Sequence, residues 1–208
     1  TWSWETNGVS QATVTGLVPL ATYRFRVKAS GAYGESAWSD VASARLAVSR
    51  FDAFAQGADG LVCFEAEHFL SNVVQANGDA WAATNVPGAS MGVAMVCTND
   101  DGTSVGTAAF TNNCPLLVFA VDFVAPGTNY LFVRGRAPDG TTYQSDTVHA
   151  GLDGQLTATA TNVGNFSTGS FWWVTNQANV STRRLWVNVS STGLHTVCLW
   201  AREDGVLI

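Results

Sequence analysis

Charge is scarce in this chain. Asp, Glu, Lys and Arg make up 12% of its 208 residues, about half the ~25% usual for soluble domains. The balance is acidic, ten cations against sixteen anions, for a net charge of −6. A nucleic-acid binder shows a basic patch or stripe, so the composition argues against that class. Lysine is reduced to Lys28 alone, which leaves no polybasic patch for a membrane surface. Long hydrophobic runs are missing too. The longest strongly apolar stretch is Leu116–Val121, far short of the ~20 residues of a bilayer-spanning helix. There is no Cys-x-x-Cys, no Gly-x-Ser-x-Gly elbow, no His-Glu-x-x-His and no phosphate-cradling glycine loop, so the usual zinc, serine-hydrolase and nucleotide signatures are absent. Three histidines, His68, His149 and His195, give little support to a histidine triad. No initiator Met and no signal peptide are present, and apolar, strand-like segments stand at both ends. The chain therefore reads as a fragment cut inside a structural element at each end.

What is present favours strands. Twenty glycines and runs of Val, Thr and aromatics alternate with turn signals at Pro87-Gly88, Asp101-Gly102, Pro126-Gly127, Pro138-Asp139-Gly140, Asp153-Gly154 and Thr192-Gly193. Between them the sequence predicts strands at Leu61–Glu67, Ser90–Val96, Leu116–Phe123, Asn129–Arg136, Ser145–Leu152, Trp172–Val174, Arg184–Val189 and Gly193–Ala201. Many short strands without a long amphipathic helix predict an all-β sandwich or jelly roll. Residues 1–48 differ in being slightly basic, with Arg24, Arg26, Lys28 and Arg45 against Glu5, Glu35 and Asp40. There, Tyr23 to Ala29 alternates apolar and cationic residues, the pattern of a half-buried strand, and Val41–Val48 reads as a second. Residues 49–60 read as a linker and 61–208 as a second domain.

Candidate functional residues fall in four places. Glu65 and Glu67 lie two apart, which on a strand puts both on one face. Carboxylates that close repel unless a cation lies between them, and calcium, a hard ion that takes carboxylate and carbonyl oxygens, suits the gap. An edge strand with solvated glutamates is the plain alternative. Trp81 follows a turn-rich Asn77-Gly78-Asp79 segment and is read as a ligand-contacting loop residue. Trp172 and Trp173 are adjacent, so one faces the core and the other presents an indole, a flat apolar platform for the C–H face of a sugar ring. Trp186 and Trp200, flanked by alternating apolar residues, read as core. The turn Arg202-Glu203-Asp204-Gly205 places charged groups where they can bond sugar hydroxyls, or else closes a hairpin with a surface ion pair. Of the cysteines, Cys97 and Cys114 flank a turn-rich insert and can close it as a disulfide. Cys63 and Cys198, in the expected first and last strands, form the other possible pair, and buried free thiols the plain reading.

Two resemblances follow from these residues. Leu17, Pro19, Tyr23, Phe25 to Ala29, Gly34-Glu35-Ser36 and Trp38-Ser39 resemble the second half of a fibronectin type III sandwich, with Tyr23 in the tyrosine-corner position. From residue 61, Phe64-Glu65-Ala66-Glu67-His68-Phe69, Pro87 to Gly92, Val121-Asp122-Phe123, Arg134 to Gly140, Ser145 to Gly154, Gly193 to Val197 and Arg202 to Val206 resemble carbohydrate-binding modules of the family 6 and family 35 type, a galactose-binding-like β-sandwich attached to polysaccharide-degrading enzymes. That resemblance implies a structural calcium ion (Ca2+) at Glu65 and Glu67, with a further acidic ligand beyond Ile208, and sugar binding by loops at one end of the sandwich. By position, the binding candidates are Trp81, Tyr143, Trp172, Trp173, Arg202 and Asp204. The expected function is a non-catalytic, secreted or cell-surface module that holds a covalently linked catalytic domain near its polysaccharide by tethering, with the first 48 residues as a spacer. A calcium-stapled adhesion module that binds protein is the rival from another class. A catalytic β-sandwich such as a lyase fits the acidic composition poorly.

Overall fold

The computed structural model describes residues 13, 14, 17, 19, 22–75, 78–98, 102, 104–108, 113–138 and 145–208. The fold is all-β, as the turn spacing predicts. Its centre is the strand Leu116–Phe123, Leu-Leu-Val-Phe-Ala-Val-Asp-Phe, in which every residue but Asp122 is buried. A strand covered on both faces needs such a continuous apolar run. Gly193–Ala201 pairs antiparallel along it, from Gly193 opposite Phe123 to Trp200 opposite Leu116. Beyond Gly193–Ala201 the sheet continues through Thr147–Leu152, Val163–Gly164, Asn176–Gln177 and Val180–Arg184. Thr147–Leu152 turns tightly into Gln155–Leu156 through Asp153-Gly154, with φ of 52° and 75°, the paired left-handed geometry that an Asp-Gly hairpin needs.

A second layer packs on this sheet. Trp81–Asn85 pairs with Val93–Cys97. The chain end lies beside Val93–Cys97, with Met95 N to Ile208 O at 2.8 Å and Ile208 N to Met95 O at 2.9 Å. Its other side meets Arg136, which exchanges two backbone hydrogen bonds with Leu207. Val133–Gly135 then pairs with Trp172–Val174. Phe119, Leu117, Leu199, Ala150 and Val148 from the first layer meet Met95, Trp81, Val187 and Ile208 between the layers. Burying each such large side chain contributes roughly 1.5–3 kcal/mol. The outer face of the central sheet carries a smaller cluster of Leu116, Val118, Cys114, Cys198 and Trp200.

Several sequence expectations shift. Leu116–Phe123, Trp172–Val174 and Gly193–Ala201 match their predicted spans. Leu61–Glu67 is not a strand; it is extended chain running into a short 3-10 turn at Ala66–His68. The stretch read as a linker contributes to the domain. Phe54–Ala55 pairs parallel with the central strand, and the Gln56 side chain donates to Gly60 O and Asn129 Oδ1 and accepts from Val124 N. Arg50 reaches Asp122 at 2.9 Å. Trp200 is buried as expected, and Trp186 is half-buried. In the N-terminal unit, Thr22–Phe25 pairs antiparallel with Ala42–Arg45. Val27 and Trp38 stay exposed there, and Arg26 and Lys28 cover the Trp38 ring at 4.5 and 5.3 Å.

Candidate functional site

The two layers do not close everywhere. A cavity of about 420 Å³ opens between them. Phe119, Ala150, Val197 and Leu199 form its apolar floor, and Glu65, Glu67, Phe132, Arg134 and Trp173 lie nearer solvent. Phe132 and Trp173 are each more than half exposed, a conformation that leaves an aromatic face open.

Local structure places each group. Ala66–His68 forms a single 3-10 turn, closed by His68 N donating to Glu65 O at 3.1 Å, so Glu65 and Glu67 reach the cavity from a turn. The Ser90 hydroxyl donates to Glu65 Oε1 at 2.8 Å. Ser90 follows the Pro87-Gly88 turn, whose Gly88 carbonyl accepts from Arg134 Nη2 at 3.0 Å. Arg134 also lies 5.3 Å from the Phe171 ring centre, within cation–π range. Trp173 sits opposite Arg134 in the strand pair, and residues directly opposite share a face. The structure thus brings together Glu65, Glu67 and Trp173 with Arg134, Phe132, Phe171 and Ser90. Phe132 and Phe171 escaped the sequence reading, and Arg134 and Ser90 entered it as parts of the family resemblance and not as site residues, because their proximity depends on strand pairing across the chain.

Other expected site residues lie elsewhere. Trp172, one residue from Trp173, projects from the other strand face and is also half exposed. Trp81 is corrected: its ring is 2% exposed and its Nε1 donates to Pro115 O at 3.1 Å, so it is a core residue with no open face for a ligand. The Arg202–Asp204 turn lies outside this cavity, and the expectation that it is exposed is corrected. It is a turn, with Gly205 at φ 74°, but Glu203 and Asp204 are buried. Glu203 Oε2 accepts from Asp146 N at 2.9 Å and Thr147 Oγ1 at 2.7 Å. Arg202 Nη1 donates to Thr147 Oγ1 and Glu203 Oε1, and Asp204 Oδ2 accepts from Gly102 N at 2.8 Å. Tyr143 lies outside the described residues. The expected Cys97–Cys114 disulfide is not formed; all four cysteines are free thiols. Burial pushes Cys97 and Cys114 up to about 12 and Cys198 up to about 11.

One arrangement superficially resembles a catalytic triad. His195 Nδ1 lies 2.7 Å from Asp153 Oδ2 and its Nε2 3.4 Å from Ser191 Oγ. The same Nε2 lies 2.9 Å from the Ser191 carbonyl oxygen, which can only accept. The backbone carbonyl, and not the hydroxyl, is therefore the nearer partner of that nitrogen. The unit instead fastens the Asp153 turn to the long strand, with Asp153 Oδ1 accepting from Thr196 N at 2.9 Å.

Fold and cavity define a β-sandwich domain of the all-β class. The chain belongs to the family of glycosyl hydrolase family 115 C-terminal domains, whose family model matches residues 54–208. The match starts at Phe54, the first residue of the parallel edge strand. Residues 1–53 fall outside it. No curated protein matches the chain.

Proposed function

We propose that residues 54–208 are a non-catalytic carbohydrate-binding module of a glycosyl hydrolase, working outside the cell to hold a linked catalytic domain on its polysaccharide. The observation that carries this reading is the mouth of the large cavity, where the exposed Trp173 and Phe132 rings adjoin Glu65, Glu67 and Arg134. An indole face stacks on the C–H face of a pyranose without charge, and the carboxylates and guanidinium supply hydrogen bonds to hydroxyls at its edge. The family name supports a carbohydrate context. The N-terminal unit serves as a spacer, anchored through Arg50 and Asp122.

Glu65 and Glu67 are proposed to hold a structural calcium ion. Two carboxylates with a serine hydroxyl beside them form an all-oxygen set, which suits calcium. No group of three His, Cys, Asp or Glu gathers among the described residues, so backbone carbonyls and water would complete the shell. When bound, calcium supplies stability, pinning the Ala66–His68 turn to the Ser90 loop, and takes no part in chemistry.

The test is affinity gel retardation of the 208-residue chain against soluble plant and algal polysaccharides at low and high salt. At least one polysaccharide should retard it, with little loss as salt rises, because stacking is not screened as ion pairing is. Retardation by none, or retardation abolished by salt, contradicts the reading.

A further inference from the structure

A second, smaller concavity of about 160 Å³ lies away from the aromatic mouth and shares no lining residue with it. Asp146, Asn162, Asn165, Asn179, Arg202 and Glu203 line it. It is open to solvent, with Asn165 and Asn179 exposed, so it can take one face of a single sugar ring.

Its walls are built from fixed and open groups. Glu203, Thr147, Arg202 and the Asp146 backbone form the closed network described above, which sets the floor. Asn162 and Asn165 bracket the short strand Val163–Gly164, and Asn179 occupies the turn between Asn176–Gln177 and Val180–Arg184. All three have left-handed backbones, with φ of 50°, 65° and 61°, which asparagine tolerates. The segment is pressed against Asp146: a Cβ on Gly164 would lie 2.3 Å from Asp146 O. No side-chain hydrogen bond joins any of the three asparagine amides to another described residue.

The chemistry of the wall selects the ligand. Arg202 already neutralises Glu203, so a bare cation meets a guanidinium. An anion meets Asp146 and Glu203 side by side. Three amides, each donor and acceptor at once, between carboxylates and a guanidinium match a ring of hydroxyls, which also donate and accept. We propose that this cavity is a second glycan subsite that takes one neutral pyranose residue, such as a chain end, through its hydroxyl groups. It extends the carbohydrate reading and stands on separate residues.

The test is 15N NMR of the 208-residue chain titrated with methyl β-pyranosides of neutral sugars, with the matching uronates, and with calcium chloride alone. The variants are Asn165→Gly with Asn179→Gly, and separately Trp173→Ala. Glycine keeps the left-handed backbone, so the double variant loses amides and not its turns. A neutral pyranoside should shift the side-chain amide signals of Asn165 and Asn179. Its affinity should fall roughly tenfold or more in the double variant, as expected for two lost hydrogen bonds, with the melting temperature held, and should be unchanged in Trp173→Ala. The proposal is overturned by no shift with any neutral sugar, by equal affinity in the double variant, by preference for uronate or calcium, or by loss of the shifts in Trp173→Ala. Failure here leaves polysaccharide retardation intact, whereas failure of the aromatic site leaves these amide shifts intact.

Discussion

Ser90 Oγ donates to Glu65 Oε1 at 2.8 Å across 25 residues of sequence, and this bond ties the turn that carries both cavity carboxylates to the Pro87-Gly88 loop. Replacing Ser90 with Ala should cost about 1 kcal/mol, a typical net value for one hydrogen bond. If calcium sits at Glu65 and Glu67, adding it after chelation should raise the melting temperature with the logarithm of its concentration. Glu67→Gln should reduce that rise. The same melting temperature with and without calcium would remove the ion from the account.

Trp81 is expected to matter for stability and not for binding. Trp81→Ala should destabilise by ~3–5 kcal/mol, the range for deleting a buried aromatic ring, and it leaves Pro115 O without its indole donor. Urea unfolding gives the cost. Glycan affinity measured per folded molecule should stay unchanged; a selective loss of affinity would return Trp81 to the binding surface.

Two buried groups give opposed pH dependences. Burial, with Glu203 beside it, pushes Asp146 from its usual 3.8 up to about 6. The folded state then holds this proton more tightly than the unfolded chain, so the contribution of Asp146 is full at low pH and is lost as pH rises to about 6. Burial pushes His149 from 6.5 down to about 4; its Nδ1 accepts from Asn162 N and its Nε2 faces Val105 O, which fixes the neutral ring. The contribution of His149 is full above 6.5 and is lost as pH falls to about 4. The two offset each other between about 4 and 6. Asp146→Asn removes one side, so its melting temperature should fall more steeply than the parent's from pH 6.5 to pH 4. An equal or shallower fall contradicts the assignment.

The cysteines make a simple chemical prediction. Cys63 is exposed and the other three are buried, and a thiol held at about 11 or 12 presents almost no thiolate at neutral pH. One thiol should react with a colorimetric reagent in the native protein and four after denaturation without reductant. Two after denaturation would show that a disulfide forms after all.

How much was legible depended on whether local pattern or distant pairing decided the outcome. Leu116–Phe123 is apolar but for Asp122 and Gly193–Ala201 is nearly so, and both were readable as strands. Trp81 was not, because the turn residues before it suggested a loop, while its burial is decided by pairing with Cys97 and contact near Pro115. The Arg202–Asp204 turn was readable as a turn and misread as exposed. Its cover comes from Gly102, Ser104 and Val105, about a hundred residues earlier, through Gly102 N to Asp204, the Ser104–Glu203 bridge and Val105 N to Arg202 O. Glu65 and Glu67 were singled out for sharing a strand face; they share a cavity instead, reached from a 3-10 turn.

The central claim is that the exposed indole of Trp173 binds glycan. Its most direct test measures melting temperature and polysaccharide affinity on one preparation of Trp173→Ala. The ring is 54% exposed, so its loss should lower the melting temperature little, while losing the stacking surface should weaken binding about tenfold or more, the scale of 1–2 kcal/mol. A variant that stays folded and binds as the parent does would contradict the account.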